Sequence, residues 1–290
     1  MKSIYKSEEG KQKILALYDE QLTRLSCTYK DRYVTTSYGK THLIETGDDT
    51  KKPLLVFHGG NATTAYNLLY CKFLLDKFHI YAVDTIGHPG KSAETCLSPN
   101  TYDYGKWASE VITALSYDKI RCFGGSFGGG IIAKLMCVSP EKMERVVLLV
   151  PSGIKNAAAI KSASMLGPMI LYWLTHKEKW LIQCMMPMAI RKENITDDIY
   201  ETAKRSIQYA KIKKGMPSNV RPADMRKCFA PTLVMAGEKD CLFPASKVIP
   251  QAKKMIPNCT TKCLMNRGHM TDLSKEEEQL IVEFLQESIA

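Results

Sequence analysis

Apolar residues along the chain change period several times, and each period predicts an element. Between residues 7 and 25, Ile14, Leu15, Leu17, Tyr18, Leu22 and Leu25 stand at near-helical spacing among charges, which predicts an amphipathic helix. Two extended segments follow, Tyr29–Ser37 and Thr41–Glu45, separated by Tyr38-Gly39-Lys40, which reads as a hairpin turn. The pattern then becomes short apolar runs alternating with longer helical stretches: Leu54–Phe57, Ile80–Val83, Lys119–Gly124, Val146–Val150, Thr232–Ala236 and Thr261–Met265. These runs have strand length, are often β-branched, and mostly end in Gly, Pro, Asp or His. Continuous apolar strands separated by helices predict an α/β fold, with a mostly parallel central sheet covered by helices on both faces.

One stretch breaks the alternation. From Ser152 to Lys227 no strand is evident and the pattern is helical throughout. These 76 residues hold Met165, Met169, Met185, Met186, Met188, Met216 and Met225, half of the 14 Met, and two of the three Trp, Trp173 and Trp180. Packing is the ordinary role of such side chains. Even so, an insertion of this size between two sheet strands must fold over an end of the sheet, where a Met-rich surface can form an adaptable apolar pocket. The expected organisation is a core of residues 1–151 and 228–290, interrupted by a helical cap (lid) at 152–227.

Composition adds compartment and charge. At 290 residues with 45% hydrophobic and 24% charged side chains, the chain has the makeup of a soluble globular protein, which excludes disordered and low-complexity classes. The ten Cys are scattered, without a C-x-x-C pair or a Cys/His cluster at zinc-finger spacing, so no metal site is expected. The N-terminal Met1–Lys6 lacks the apolar stretch of a signal peptide, and no run reaches the ~20 apolar residues of a membrane span. A reduced cytoplasmic setting is the expectation. The formal charge is +10, and 152–227 alone holds 14 Lys/Arg against 6 Asp/Glu. The surplus therefore belongs to the expected cap. Lys204, Lys211, Lys213 and Lys214 are expected to form an outward, solvated helical face. The sharper reading is that the cap steers anionic substrates or lies peripherally against an anionic membrane. No aromatic–basic recognition motif or reader helix supports nucleic-acid binding.

The chemistry is carried by Gly124-Gly125-Ser126-Phe127-Gly128, placed between an apolar strand and the helical run Ile131–Met136. This is G-x-S-x-G in a strand–turn–helix setting: the sharp turn strains its central residue, and side chains at the flanking glycines would collide with it. The turn lifts the Ser126 hydroxyl above the sheet. A phosphate-binding loop is excluded, since neither a Gly-Lys-Ser/Thr ending nor G-x-G-x-x-G with a downstream acid is present. A serine hydroxyl needs a base within reach. Of six His, His269 stands directly after the last expected strand. The base in turn needs an orienting acid, and the loop after Thr232–Ala236 offers Asp240 and Glu238, with Asp240 preferred. The order Ser126, Asp240, His269 is the nucleophile–acid–base order expected for such an elbow. Oxyanion donors are expected from the N–H of Phe127 and from His58-Gly59-Gly60-Asn61, with Gly60 first and Asn61 next. His58 is expected to fix that loop rather than act as a base.

These residues resemble the α/β-hydrolase superfamily, in its capped serine esterase/lipase-like branch, and the likeness runs from about Thr41 to the C-terminus. His58-Gly59-Gly60 is similar to the family's oxyanion motif. Asp84–Ser92 is similar to its D-x-x-G-x-G-x-S loop, with Pro89 as an extra residue, and Gly237–Asp240 and Gly268-His269 resemble the acid and base loops. Ser126 argues against the dehalogenase and epoxide-hydrolase branches, which use Asp there. Gly124-Gly125-Ser126 is also similar to proline iminopeptidases, but Asn61-Ala62 departs from their H-G-G-P-G loop. The resemblance implies a hydrolase of carboxylic esters or thioesters that works through an acyl-enzyme on Ser126, needs no cofactor, and takes a small-molecule ester. The alternatives are carbon–carbon bond hydrolysis, perhydrolysis, amide or peptide hydrolysis, or acyl transfer on the same trio, and a non-catalytic small-molecule sensor.

Overall fold

The computed structural model describes residues 3–157, 164–211, 215–270 and 272–288. Eight strands form one sheet: β1 (Tyr29–Thr36), β2 (Gly39–Thr46), β3 (Pro53–Phe57), β4 (His79–Val83), β5 (Ile120–Gly125), β6 (Met143–Leu149), β7 (Thr232–Gly237) and β8 (Cys259–Leu264). Their spatial order is β1-β2-β4-β3-β5-β6-β7-β8. The hairpin β1–β2 and the pair β2–β4 are antiparallel, and all remaining pairs are parallel. This is the mostly parallel sheet that the apolar runs predict. The last strand begins two residues earlier than expected because Thr232 of β7 pairs with Cys259, ahead of the apolar part of the run.

Period-2 alternation divides the core into two layers. Leu55, Phe57, Cys122, Val146, Leu148 and Val234 point to one face, where they meet Trp107, Ile131 and Val248. Those partners lie on α3 (Asp103–Ala114), α4 (Phe127–Val138) and α9 (Ala245–Met255). The alternate residues Leu54, Val56, Phe123, Val147 and Leu233 point the other way, toward Tyr18, Leu68 and Ile281. These belong to α1 (Glu8–Thr23), α2 (Thr64–Tyr70) and α10 (Lys275–Gln286). Burial on both faces explains why these strands read as unbroken apolar runs. Local signals set the helix ends. Ser7 caps α1 by accepting the Gly10 N–H, and Ser274 and Glu277 form a reciprocal capping box on α10.

Between β6 and β7 the described residues contain α5 (Leu166–Thr175), α6 (Glu178–Ala189), α7 (Asp197–Tyr209) and the single turn α8 (Pro222–Met225), and no strand. The segment is not helical throughout, however. Residues 215–221 are neither helix nor strand, with Gly215 at φ +98° and Pro217 as breakers. They are tied down where the Ser218 N–H donates to the Pro99 carbonyl and the Val220 N–H to that of Gly153.

The expected lysine face is also corrected. Helix α7 ends at Tyr209 because Ala210 forms a bridge with Tyr5, flanked by Lys6 N–H to Tyr209 O and Lys211 N–H to Ile4 O. Lys204 is not a free solvated charge, since its Nζ lies 3.2 Å from Glu178 and 3.0 Å from Glu201. Lys211 leaves the helix and donates from Nζ to the Ser3 carbonyl. Lys213 and Lys214 lie outside the described residues.

Candidate active site

Four loops meet at the C-terminal edge of the parallel strands. The first is the elbow. Ser126 sits between β5 and α4 at φ +52°, ψ −114°, a strained conformation for a residue with a Cβ. Four hydrogen bonds hold it there. Its N–H donates to the Leu149 carbonyl, and its own carbonyl accepts from the N–H and the hydroxyl of Ser152 and from the Gly130 N–H. The flanking glycines are required by close approach. A Cβ on Gly124 would lie 2.7 Å from the Gly128 backbone, and one on Gly128 would run into the Phe57 and His58 carbonyls. The Ser126 hydroxyl makes no capping bond to α4, which leaves it to face His269.

The base loop follows β8. His269 Nε2 lies 2.9 Å from Ser126 Oγ, and its Nδ1 lies 2.9 Å from Asp240 Oδ2. Phe243 packs edge-to-face on the imidazole with centroids 5.3 Å apart. The acid loop follows β7. Asp240 is buried, and its Oδ1 accepts from the Leu242 and Phe243 N–H groups at 2.7 and 2.9 Å. Burial pushes the Asp240 carboxyl up, but His269 and the two N–H donors outweigh it and hold the group below the usual carboxylate range. The sequence alternative, Glu238, is turned away: its Oε2 accepts the Asn266 N–H, and its side chain is exposed.

The fourth loop follows β3. Buried His58 accepts the Thr85 N–H at Nε2, so its Nδ1–H is the donor to the Gly59 carbonyl at 2.8 Å. Desolvation lowers the His58 pKa, which favours this neutral imidazole. The bonding fits the loop-fixing role read from the sequence. Positions for a Cβ on Gly59 and Gly60 lie 3.7 Å from Ser126 Cβ and 3.6 Å from Phe127 Cβ, so the loop stands directly against the elbow. Asn61 adopts φ +55°. Among the described residues, the backbone N–H groups of Gly60, Asn61 and Phe127 have no acceptor.

Several contacts at the site carry no sequence signal. Met216, from the stretch 215–221, places Sδ 3.9 Å from the Gly60 Cβ position. The Met188 carbonyl at the end of α6 accepts the Met270 N–H at 3.0 Å, with Gly268 pressed against it. Ser152 carries a weak signal, a polar residue just beyond the apolar strand run Val146–Val150.

A family model described as alpha/beta hydrolase fold matches residues 52–181. The carboxylesterase YbfK of Bacillus subtilis (strain 168) is 24% identical over 278 residues, covering 92% of each chain. The crystal structure of carboxylesterase CesB (YbfK) from B. subtilis superposes with a TM-score of 0.81 at 21% identity, over 97% of this chain and 100% of that one. The naproxen esterase of B. subtilis gives 0.81 at 19% identity with the same coverage. The eight-stranded order, the elbow after β5 and these likenesses agree: the chain has the α/β-hydrolase fold.

Proposed function

We propose that the protein is a serine hydrolase of carboxylic esters. The observation that carries this reading is the continuous line Ser126 Oγ–His269–Asp240, with both hydrogen bonds at 2.9 Å. In this mechanism His269 Nε2 takes the Ser126 proton as Oγ attacks the acyl carbon, and the resulting imidazolium is stabilised by ionised Asp240. Asp240 also fixes the tautomer, because its carboxylate accepts the Nδ1–H and leaves Nε2 as the base. The oxyanion is held by the Phe127 N–H at the start of α4 and by Gly60, with Asn61 beside it. Their lack of an acceptor among the described residues supports this assignment. His269 returns the proton to the leaving alcohol, then activates water to release the acid and regenerate Ser126.

The carboxylesterases among the similar proteins support an ester as substrate class. Thioesters require the same steps and fit the same site. The segment 152–227 acts in this reading as the cap, since Met216 and Met188 bring it to the oxyanion and base loops. Ten free cysteines fit a reducing, cytoplasmic setting. The test is a panel of p-nitrophenyl esters of rising chain length. Turnover with a burst of p-nitrophenol stoichiometric with enzyme supports the acyl-enzyme route, and no turnover of any ester contradicts it.

A further inference from the structure

The described residues expose nine large apolar side chains, and five of them lie on one helix. On α5, Leu166 is 63% exposed, Ile170 52%, Leu171 37%, Trp173 50% and Leu174 74%. Singly exposed apolar residues are ordinary, but a contiguous patch on a soluble protein marks an interaction surface. The sequence of α5, LGPMILYWLT, contains no charge. Among the described residues it is anchored along one side, where buried Tyr172 packs on Leu181, Met185 and Ile207 and its hydroxyl accepts from Gln208. The positions spaced 166, 170, 173 and 174 face outward.

The charge around this face is one-sided. Lys177 and Lys179 stand exposed immediately after α5, and among the described residues neither has a carboxylate partner. The intervening Glu178 is neutralised by Lys204. Arg191 and Lys192, exposed beyond the end of α6 beside a single exposed carboxylate, Glu193, bracket the other end of the α5–α6 hairpin with net positive charge. Lys179 Nζ lies over the Trp180 ring at 4.6 Å, but an apolar helix face with a Trp, bordered by cations without carboxylate partners, has the chemistry that rests in the headgroup layer of an anionic bilayer.

We infer that α5 docks this protein on anionic phospholipid surfaces, with Leu166, Ile170, Trp173 and Leu174 entering the headgroup–acyl boundary and Lys177 and Lys179 pairing with lipid phosphates. The docking helix is continuous with the candidate site, because Met169 on α5 shares a cluster with Met188 and with Met270, next to His269. The inference does not depend on the proposed chemistry, because the binding is read without any substrate.

The test is flotation of the full chain with vesicles of phosphatidylcholine alone or with about one-third phosphatidylglycerol. The expected result is binding to anionic vesicles on the order of tenfold tighter than to zwitterionic ones, with a blue shift of tryptophan emission that Trp173→Phe removes. The double variant Ile170→Glu/Leu174→Glu should lose at least about tenfold in vesicle binding while hydrolysing a short soluble ester at the wild-type rate. Lys177→Glu/Lys179→Glu should abolish the preference for anionic lipid. No binding to either vesicle overturns the inference, as does equal binding by the Ile170/Leu174 variant. A dimer in solution that this variant splits, with no vesicle binding, assigns the face to a second copy of the chain instead.

Discussion

His269 faces Asp240 and not Glu238: Nδ1 stands 2.9 Å from Asp240 Oδ2, while the Glu238 carboxylate is spent on the Asn266 N–H. Both acids occupy the loop after β7, and the two N–H donors at Leu242 and Phe243 turn Asp240 inward. Asp240→Asn should therefore lower kcat on the order of 10⁴-fold, because an amide cannot hold the imidazole in the tautomer that leaves Nε2 free. Glu238→Gln should stay within about threefold of wild type. Steady-state kinetics on one chromogenic ester distinguishes the two, and the reverse ranking would transfer the role to Glu238.

Ser126 carries backbone strain at φ +52°. Ser126→Gly should abolish turnover and raise stability by about 1 kcal/mol, since glycine adopts this region without cost. Thermal unfolding should show a Tm a few degrees higher. A Tm equal to or below wild type would mean that the Ser152 bonds to the Ser126 carbonyl, rather than the fold at large, set the conformation.

Gly268 presses on the Met188 carbonyl, the link between α6 and the base loop. A Cβ there cannot be accommodated without moving one of the two. Gly268→Ala should lower kcat by at least about tenfold, since sub-ångström displacement of a base is costly. Fluorophosphonate labelling should slow in step with kcat. An unchanged labelling rate would show that the loop absorbs the methyl group without displacing His269.

Buried Asp84 accepts from His42 Nδ1 at 2.7 Å, the Lys91 N–H at 2.8 Å and the Tyr18 hydroxyl at 3.2 Å. Removing it takes the acceptor from the buried His42 and Tyr18 donors and from the part-buried Lys91 N–H. Asp84→Ala should cost about 3 kcal/mol, whereas Asp31→Ala, at the half-exposed other side of His42, should cost about 1 kcal/mol or less. Urea denaturation of both variants reads the difference, and equal losses would contradict it.

Acid should destabilise the protein in two stages. His58 is held below its ordinary value of 6.5 by burial, so the unfolded chain takes up a proton there first as pH falls below that value, and stability drops. Asp240 and Asp84 are held below their ordinary value of 3.8: burial pushes both up, and His269 and His42 respectively outweigh it. Their contributions persist above that pH and are lost as it falls further. A Tm series from pH 7 to pH 3 should decline through both windows, and His58→Gln should flatten the first. A Tm that rises on acidification contradicts both assignments.

Much of this was legible because parallel strands buried on both faces must be apolar at every position. Leu54–Phe57 and Thr232–Ala236 announce themselves, and the loops that follow them hold the candidate oxyanion donors and the candidate acid. The elbow was legible because glycine is the only residue that fits at 124 and 128. Chain order already favours Asp240, but the hydrogen bonds that turn it inward and Glu238 outward come from loop backbone that leaves no pattern. Met188 and Met216 were invisible as site neighbours for the same reason: each acts through a long-range approach, one with a carbonyl and one with a sulfur. The lysine face at 204–214 misled because a helical period in the sequence cannot reveal that Ala210 leaves the helix to pair with Tyr5.

The central claim is that Ser126 forms the acyl-enzyme. Intact-protein mass spectrometry after reaction with a fluorophosphonate or a slowly deacylating ester measures this directly. One adduct per chain, mapped to Ser126 and absent from both Ser126→Ala and His269→Ala at short times, is the predicted result. Undiminished ester turnover by Ser126→Ala, or an adduct mapped to another residue, would contradict it.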